Sequence, residues 1–484
     1  MKRRHAIGAR RLAIIVTVAS CTTIGALACS TSGDARRPFD EGVDSAGGAS
    51  LPDAMADATA SPESDASHKP PFAPDDEAVV CATAPCATQI VAGEGHFCAR
   101  MSDGTARCWG DDTRGSLGAM EPPTDADAGD AGTADAGDAG GGATIPPVTG
   151  LTGAVRLSAG GTTTCAALND GAVRCWGGND TGQLGLSAAP AIFDEDPHHD
   201  PTSVALPSAA LRVDVGQRGA CAVLAAGSVW CWGDNTQRQL ARVTSEDIAG
   251  PAAAQLGGLA VAWTAAGTGT SFGVTTAGVV FSWGAVASSY GTVAARTASV
   301  SPDPLPLSIG LSSVTSLAVS STTLVPQYGT YPPPPPLGVA HACAVVKGEV
   351  FCWGVSQLGA LAIGLPDPAP KPTRTVVESE KAWPQQVAAG GDITCVRLTD
   401  GSVQCAGDNS LGALGKDPKQ GFSMFFRPVA TLNEHAVQVA VSAHSVCALV
   451  QGGRVLCWGG NQNGELGLRP ADGDPHPTPA PIGF

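Results

Sequence analysis

Twelve of the sixteen cysteines fall into six pairs: Cys98/Cys108, Cys165/Cys175, Cys221/Cys231, Cys343/Cys352, Cys395/Cys405 and Cys447/Cys457. Such pairs could bridge, or they could hold zinc. A zinc site needs cysteines at short spacing that converge in space, whereas these recur one pair per repeat along the chain. Two observations favour bridges. Where the pair is lost, both positions change together, to Phe272 and Ser282, as expected if neither cysteine is useful alone. Where the spacing shortens by one, at Cys343/Cys352, the intervening loop becomes the two-residue Lys347-Gly348 turn, which keeps the pair opposite. An oxidising compartment follows. Cys81 and Cys86 form a separate pair ahead of the first repeat, either bridged to each other or left as thiols.

Other residue types with chemical potential are sparse. His96, His341 and His444 stand two or three residues before the first cysteine of their repeats, where other copies have Thr163 and Thr270. In a closed ring they would line a channel mouth, as a metal or catalytic cluster or simply as its polar rim. The stretch Phe193-Asp194-Glu195-Asp196-Pro197-His198-His199-Asp200 has metal-ligand types, but a solvated acidic loop explains it. Asp125 to Gly140 lacks the ordered core and terminal Glu of a calcium loop. No phosphate-cradling glycine loop, nucleophile elbow or HExxH motif occurs, so no cofactor and no metal is expected. Trp109, Trp176, Trp232, Trp283, Trp353 and Trp458 recur at one repeat position and read as packing. Trp230, Trp263 and Trp383 break that period and are candidate partner-binding residues, with His96, His341 and His444.

The element that must position these residues is clearest at Ser158 to Gly185, SAGGTTTCAALNDGAVRCWGGNDTGQLG. Two apolar runs flank Asn169-Asp170-Gly171, a hairpin loop that wants glycine where φ is positive, and Cys165 and Cys175 lie symmetrically about Asp170. Seven copies recur, with cores near 91–118, 158–185, 215–240, 265–291, 317–359, 387–415 and 439–467. A period near fifty residues means a propeller or solenoid whose units bury apolar faces against their neighbours. With 62 Gly, 37 Pro and no helical periodicity the class is all-β, a single domain over 81–484. Most hairpins are preceded by a Pro-bearing segment, as at 145–151, 204–211, 303–311 and 371–377, which suits outer strands. The first hairpin lacks one, and 478–484 is expected to supply it and close the ring.

Residues 1–28 have a basic start and an apolar run from Leu12, the pattern of an export signal. It ends in a lipobox-like Ala26-Leu27-Ala28-Cys29, with Val18-Ala19-Ser20-Cys21 as the alternative, so Cys29 is the expected lipid anchor to a membrane. Ordinary secretory cleavage after Ala28 is the other outcome. Residues 29–80, rich in Asp, Ala, Ser, Pro and Gly, form a disordered tether, and the inserts 120–143 and 322–338 read as disordered and as a stiff Pro-rich arm. Formal charge is −16, and removing five basic and no acidic residues with 1–28 takes it to −21. Such a surface argues against nucleic acid as a partner.

The string CALxDGxVxCWGxNxxGQLG, met almost throughout by the second copy, resembles the repeat of the regulator of chromosome condensation family, over about residues 87–484. The resemblance implies a seven-bladed β-propeller. Ala406 replaces the blade tryptophan, and Gln239-Leu240-Ala241 replaces the QLG turn, which implies local distortion there. The family's namesake is a nuclear nucleotide-exchange factor, an activity that an exported acidic chain has no substrate for. Secreted bacterial propellers of this type include an inhibitor of β-lactamases, which implies a protein-binding scaffold. The expected function is therefore a non-catalytic, exported scaffold at the outer membrane or cell surface, recognising a protein or glycan through loops on one ring face. The alternatives are an envelope polysaccharide lyase or hydrolase and a purely structural envelope lipoprotein.

Overall fold

Antiparallel hairpins closed by tight turns dominate the backbone, as the repeats require. The computed structural model describes residues 72, 77–119, 144–286, 293–296, 302–324, 337–364, 368–468 and 470–484. The export signal with Cys21 and Cys29, nearly all of the 29–80 tether, the insert 120–143 and most of the Pro-rich arm lie outside these residues.

Seven sheets each follow the chain outward from a central channel. Blade one holds β1 (Ala87–Ala92), β2 (His96–Met101) and β3 (Ala106–Gly110). Blade two is β4 (Ala154–Gly160), β5 (Thr163–Leu168), β6 (Val173–Asn179) and β7 (Asp194–Ser203); blade three is β8 (Ala210–Val215), β9 (Gly219–Leu224), β10 (Val229–Asp234) and β11 (Ile248–Ala253). Blade four is β12 (Val261–Ala266), β13 (Thr270–Thr275), β14 (Val280–Gly284) and β15 (Asp303–Ser308); blade five is β16 (Val314–Leu324), β17 (Leu337–Val346), β18 (Glu349–Gly354) and β19 (Ala369–Thr375). Blade six is β20 (Pro384–Gly390), β21 (Ile393–Leu398), β22 (Val403–Asp408) and β23 (Phe422–Pro428); blade seven is β24 (Ala436–Val441), β25 (Ser445–Val450), β26 (Val455–Asn461) and β27 (Asp472–Pro481). The protein is a seven-bladed all-β propeller.

The cysteine hairpin is the middle of each blade. Cys98 faces Cys108 in register across the second and third strands, and Cys165 faces Cys175, Cys221 faces Cys231, Cys343 faces Cys352, Cys395 faces Cys405 and Cys447 faces Cys457 in the same way. All six pairs are bridged, each with Cα atoms 4.1 Å apart. That separation suits directly opposed residues of an antiparallel pair. Lys347 and Gly348 both take positive φ, 51° and 79°, as a two-residue hairpin turn demands. Cys81 and Cys86 bridge each other, and Cys81 pairs with Gly452 beside the β25–β26 turn.

The third-strand cysteines mark a second feature that their spacing does not announce. On the other side of that strand, the ladder to the outer strand shifts register just past Cys175, Cys231, Cys352, Cys405 and Cys457. Two residues on, Gly177, Gly233, Gly354, Gly407 and Gly459 take φ of 107–112°, a conformation that L side chains rarely adopt. The shift is therefore a β-bulge that bends each blade just past its bridge.

Two expectations are corrected. The Pro-bearing segments 303–311 and 371–377 do overlap outer strands, β15 and β19, but each completes the blade whose hairpin precedes it, whereas 204–211 is the connection after β7 rather than an outer strand. Residues 472–481 therefore pair with β26 of blade seven, with Cys457 opposite Ala480, and do not fill blade one. Blade one is edged instead by Val148, whose N–H donates to the Ala106 carbonyl (2.8 Å). The acidic stretch 193–200 is mostly strand β7 rather than a loop.

Apolar faces pack between blades. Leu157, Leu168 and Trp176 of blade two meet Cys98, Cys108 and Leu117 of blade one, and Phe97 and Trp109 meet Leu449, Leu466 and Ile482 across the junction of blades one and seven. Each blade tryptophan also reaches back to the preceding blade: the indole Nε1–H of Trp109, Trp176, Trp232, Trp283, Trp353 and Trp458 donates to a backbone carbonyl there at 2.6–3.0 Å.

Candidate functional site

The inner strands set the two ends of the channel. Toward one end they finish in Gly93, Gly160, Gly161, Gly216, Gly390 and Gly391, whose bare backbones converge on a cavity of only about 140 Å³. Toward the other end each inner strand carries a register shift near its start, a β-bulge that re-aims one side chain. The residue after each bulge is Gln89, Arg156, Arg212, Trp263, Ser316, Gln386 or Gln438, and all seven line one cavity of about 540 Å³. This mouth is the candidate site.

Three of the seven are structural clips. Gln89 takes the Leu157 N–H on Oε1 (2.9 Å) and gives Nε2–H to the Leu157 carbonyl (3.0 Å). Gln386 does the same to Val439, and Gln438 to Ile90. Ser316 accepts the Val387 N–H (3.1 Å). Blades two, three and four depart from this device. There Ser158 and Asp214 take over the bonds to the next strand, through Val215 N–H (2.9 Å) and Thr264 N–H (2.9 Å). Arg156, Arg212 and Trp263 are thereby left at the mouth. The Arg212 guanidinium lies 2.6 Å from Asp214 Oδ1 and 5.8 Å from the centre of the Trp263 ring, within cation–π range. Arg100 of β2 adds a third guanidinium.

The chain before blade one borders the same opening. Glu77 and Val79 line it, and Glu77 is held by His435 Nε2 (2.6 Å) and by Gln451 Nε2–H (2.9 Å). Phe72 meets Trp383 edge to face with ring centres 6.4 Å apart.

The histidines expected at a channel mouth are not there. His96 and His341 are 1% and 0% exposed, because the hairpin strand that carries them is screened from the channel by the inner strand. Each points into the seam with the next blade, with Nε2 2.7 Å from Thr164 Oγ1 and 2.9 Å from Thr394 Oγ1 respectively. Burial pushes both imidazoles down to about 4, so they are neutral at pH 7. His444 is exposed in the β24–β25 connection, and the three are not brought together. Trp230 is half-buried on β10, Trp383 sits near the β20 start, and only Trp263 of the three lines the mouth. His198 pairs with Asp194 of its own strand (2.7 Å), and blade seven repeats this with His476 and Asp472 (2.8 Å). Among the described residues no group of three or more His, Cys, Asp or Glu could hold a metal ion.

Sequence reasoning passed over Arg100, Arg156, Arg212 and the glutamines. For the inner-strand residues a signal existed: a polar residue directly precedes an aliphatic one in six of the copies, as in Gln89-Ile90, Arg156-Leu157 and Gln438-Val439, with Trp263-Thr264 in the fourth.

The regulator of chromosome condensation (RCC1) repeat profile matches residues 87–116, 154–183, 385–413 and 436–465, and a second profile of the same description matches 347–397. Among curated proteins, the ultraviolet-B receptor UVR8 of Arabidopsis thaliana is 30% identical over 137 residues, 27% of this chain and 30% of its own length. The regulator of chromosome condensation of Xenopus laevis is 33% identical over 125 residues, 25% and 29% respectively. The human X-linked retinitis pigmentosa GTPase regulator is 29% identical over 130 residues, 26% of this chain and 12% of its own. The matched stretch thus spans less than a third of each relative. Among solved structures, Prp20p of Saccharomyces cerevisiae superposes with a TM-score of 0.57 at 17% identity, covering 82% of this chain and 87% of that one. Human WBSCR16 gives 0.57 at 19%, covering 81% and 94%. These structures share the fold.

Proposed function

Taking the chain as a seven-bladed propeller that carries regulator of chromosome condensation repeats, we propose that it is an exported, lipid-anchored, non-catalytic scaffold that recognises a partner at the cell envelope through one face of its ring. The observation that carries this reading is the disulfide in six of the seven blades, each buried and each closing one hairpin, which suits an oxidising compartment. A solved structure in which yeast RCC1 (Prp20) is bound by Kap60 supports partner binding as a use of such rings. The burial of His96 and His341 supports a non-catalytic role, since neither imidazole reaches solute.

The test is affinity capture from envelope extract and culture medium with the oxidised chain, against a reduced and unfolded bait. A partner retained by the folded bait alone is the expected result. Retention of nothing from either fraction, or turnover of envelope polysaccharides by the purified chain, would overturn the reading.

A further inference from the structure

The mouth ringed by the inner-strand bulges reverses the charge of the molecule. The chain as a whole carries −16, yet the charged side chains lining this cavity are Arg100, Arg156 and Arg212 against Glu77 alone. Arg212 is backed by Asp214 and lies over Trp263. Arg100 has no carboxylate within ion-pair distance among the described residues; its buried Nε has no hydrogen-bond partner, as is true of other arginine Nε atoms in the ring, and its terminal nitrogens are not buried. The terminal nitrogens are therefore the donors that an anionic oxygen entering the mouth would meet. Guanidinium forks match carboxylates in particular.

The geometry points to a binding site for an acidic saccharide of the uronate type, its carboxylate held by Arg100 with Arg156 and Arg212, and a sugar ring laid on Trp263. About 540 Å³ lies within the roughly 300–1,000 Å³ usual for small-ligand sites. The side chains turned inward by the bulges are amide, guanidinium, hydroxyl and indole rather than aliphatic, which suits a hydroxylated ligand better than a peptide anchored by an apolar side chain. This rests on the binding-scaffold reading and names its face and its ligand class.

The experiment is calorimetric titration of the full oxidised chain with the uronate trisaccharides of galacturonate, guluronate and glucuronate. Maltotriose serves as the neutral counterpart and hexaglutamate as the acidic peptide. Saturable binding of at least one uronate is expected, with none of maltotriose, and with affinity about tenfold weaker or worse in Arg100→Gln. Trp263→Leu should weaken the same ligand, which guards against a fold defect in one variant, and thermal melting checks both. No binding of any uronate, binding indifferent to Arg100→Gln, or equal binding of hexaglutamate overturns the site; the last would assign an acidic peptide. If uronates fail while a partner is still captured, this site falls and the scaffold reading stands; if capture fails as well, both fall.

Discussion

Gln438 closes the ring on Ile90: its Oε1 accepts the Ile90 N–H at 2.9 Å and its Nε2–H donates to the Ile90 carbonyl at 2.9 Å. One side-chain amide thus acts as an extra peptide group between the last inner strand and the first. Replacing it leaves a donor and an acceptor of the Ile90 peptide without partners, so Gln438→Ala should cost about 2–3 kcal/mol. Gln438→Glu keeps only the acceptor and should fall between. Urea unfolding reads both, and Gln89→Ala, which cuts the matching link to Leu157, should cost a similar amount; an unchanged midpoint would refute the role.

Blade six has exchanged one packing solution for another. Ala406 stands where other blades have tryptophan, and Phe426 stands where five outer strands have Pro201, Pro251, Pro306, Pro372 and Pro479, one residue before the partner of the second hairpin position. Phe426 is 2% exposed and packs in the same cluster as Ala406. Phe426→Ala should therefore cost about 3–5 kcal/mol. The double change Ala406→Trp with Phe426→Pro should be milder than the sum of its single changes, which a double-mutant cycle by chemical denaturation measures.

The buried histidines make the ring sensitive to mild acid. In the unfolded chain an imidazole takes up its proton near pH 6.5, whereas in the fold burial delays this to about 4 at His96 and His341. Between those values the unfolded state binds more protons, so stability is full above about 6.5 and falls as pH drops toward 4. The loss is on the order of 3 kcal/mol per histidine. Urea midpoints at pH 7.5 and 4.5 should differ less in the His96→Gln, His341→Gln double variant than in the parent. Equal slopes would sink the assignment.

Each hairpin bridge closes a loop of about ten residues, for which chain entropy gives roughly 2.5–3 kcal/mol. Blade four shows what can stand in its place: Phe272 meets Trp353 edge to face at 6.0 Å, and the Ser282 hydroxyl donates to the Ala294 carbonyl at 2.6 Å. Cys165→Phe with Cys175→Ser should accordingly retain more stability than Cys165→Ser with Cys175→Ser. Thiol reductant should lower the parent's denaturation midpoint by more than removal of any one pair does.

The hairpins were readable from sequence because paired cysteines about an Asn-Asp-Gly loop leave one register open, and Cys165 duly faces Cys175. The ownership of the Pro-bearing strands was not. Residues 204–209 separate β7 from the next inner strand, a shorter connection than 180–193 back to β6, so proximity pointed to the wrong blade. What decides is the free edge of β6, which needs a partner, while the free edge of an inner strand faces the channel. His96 was misplaced for a related reason, since the residues flanking a cysteine in the second strand face the blade seams. Arg156 and Arg212 were hidden because a bulge, invisible in residue spacing, turns them inward.

Ownership of the outer strand has a wider consequence. Among the described strands no blade borrows one from another, and blades seven and one are joined by Gln438 and Trp109 through the same devices, Gln89 and Trp176, that join blades one and two. The junction is therefore an ordinary seam, and the starting point of the chain is topologically arbitrary. A version of this ring rewired to begin at any blade would present the same edges to the same neighbours, and a stretch of about fifty residues could be copied or excised without leaving an orphaned strand behind.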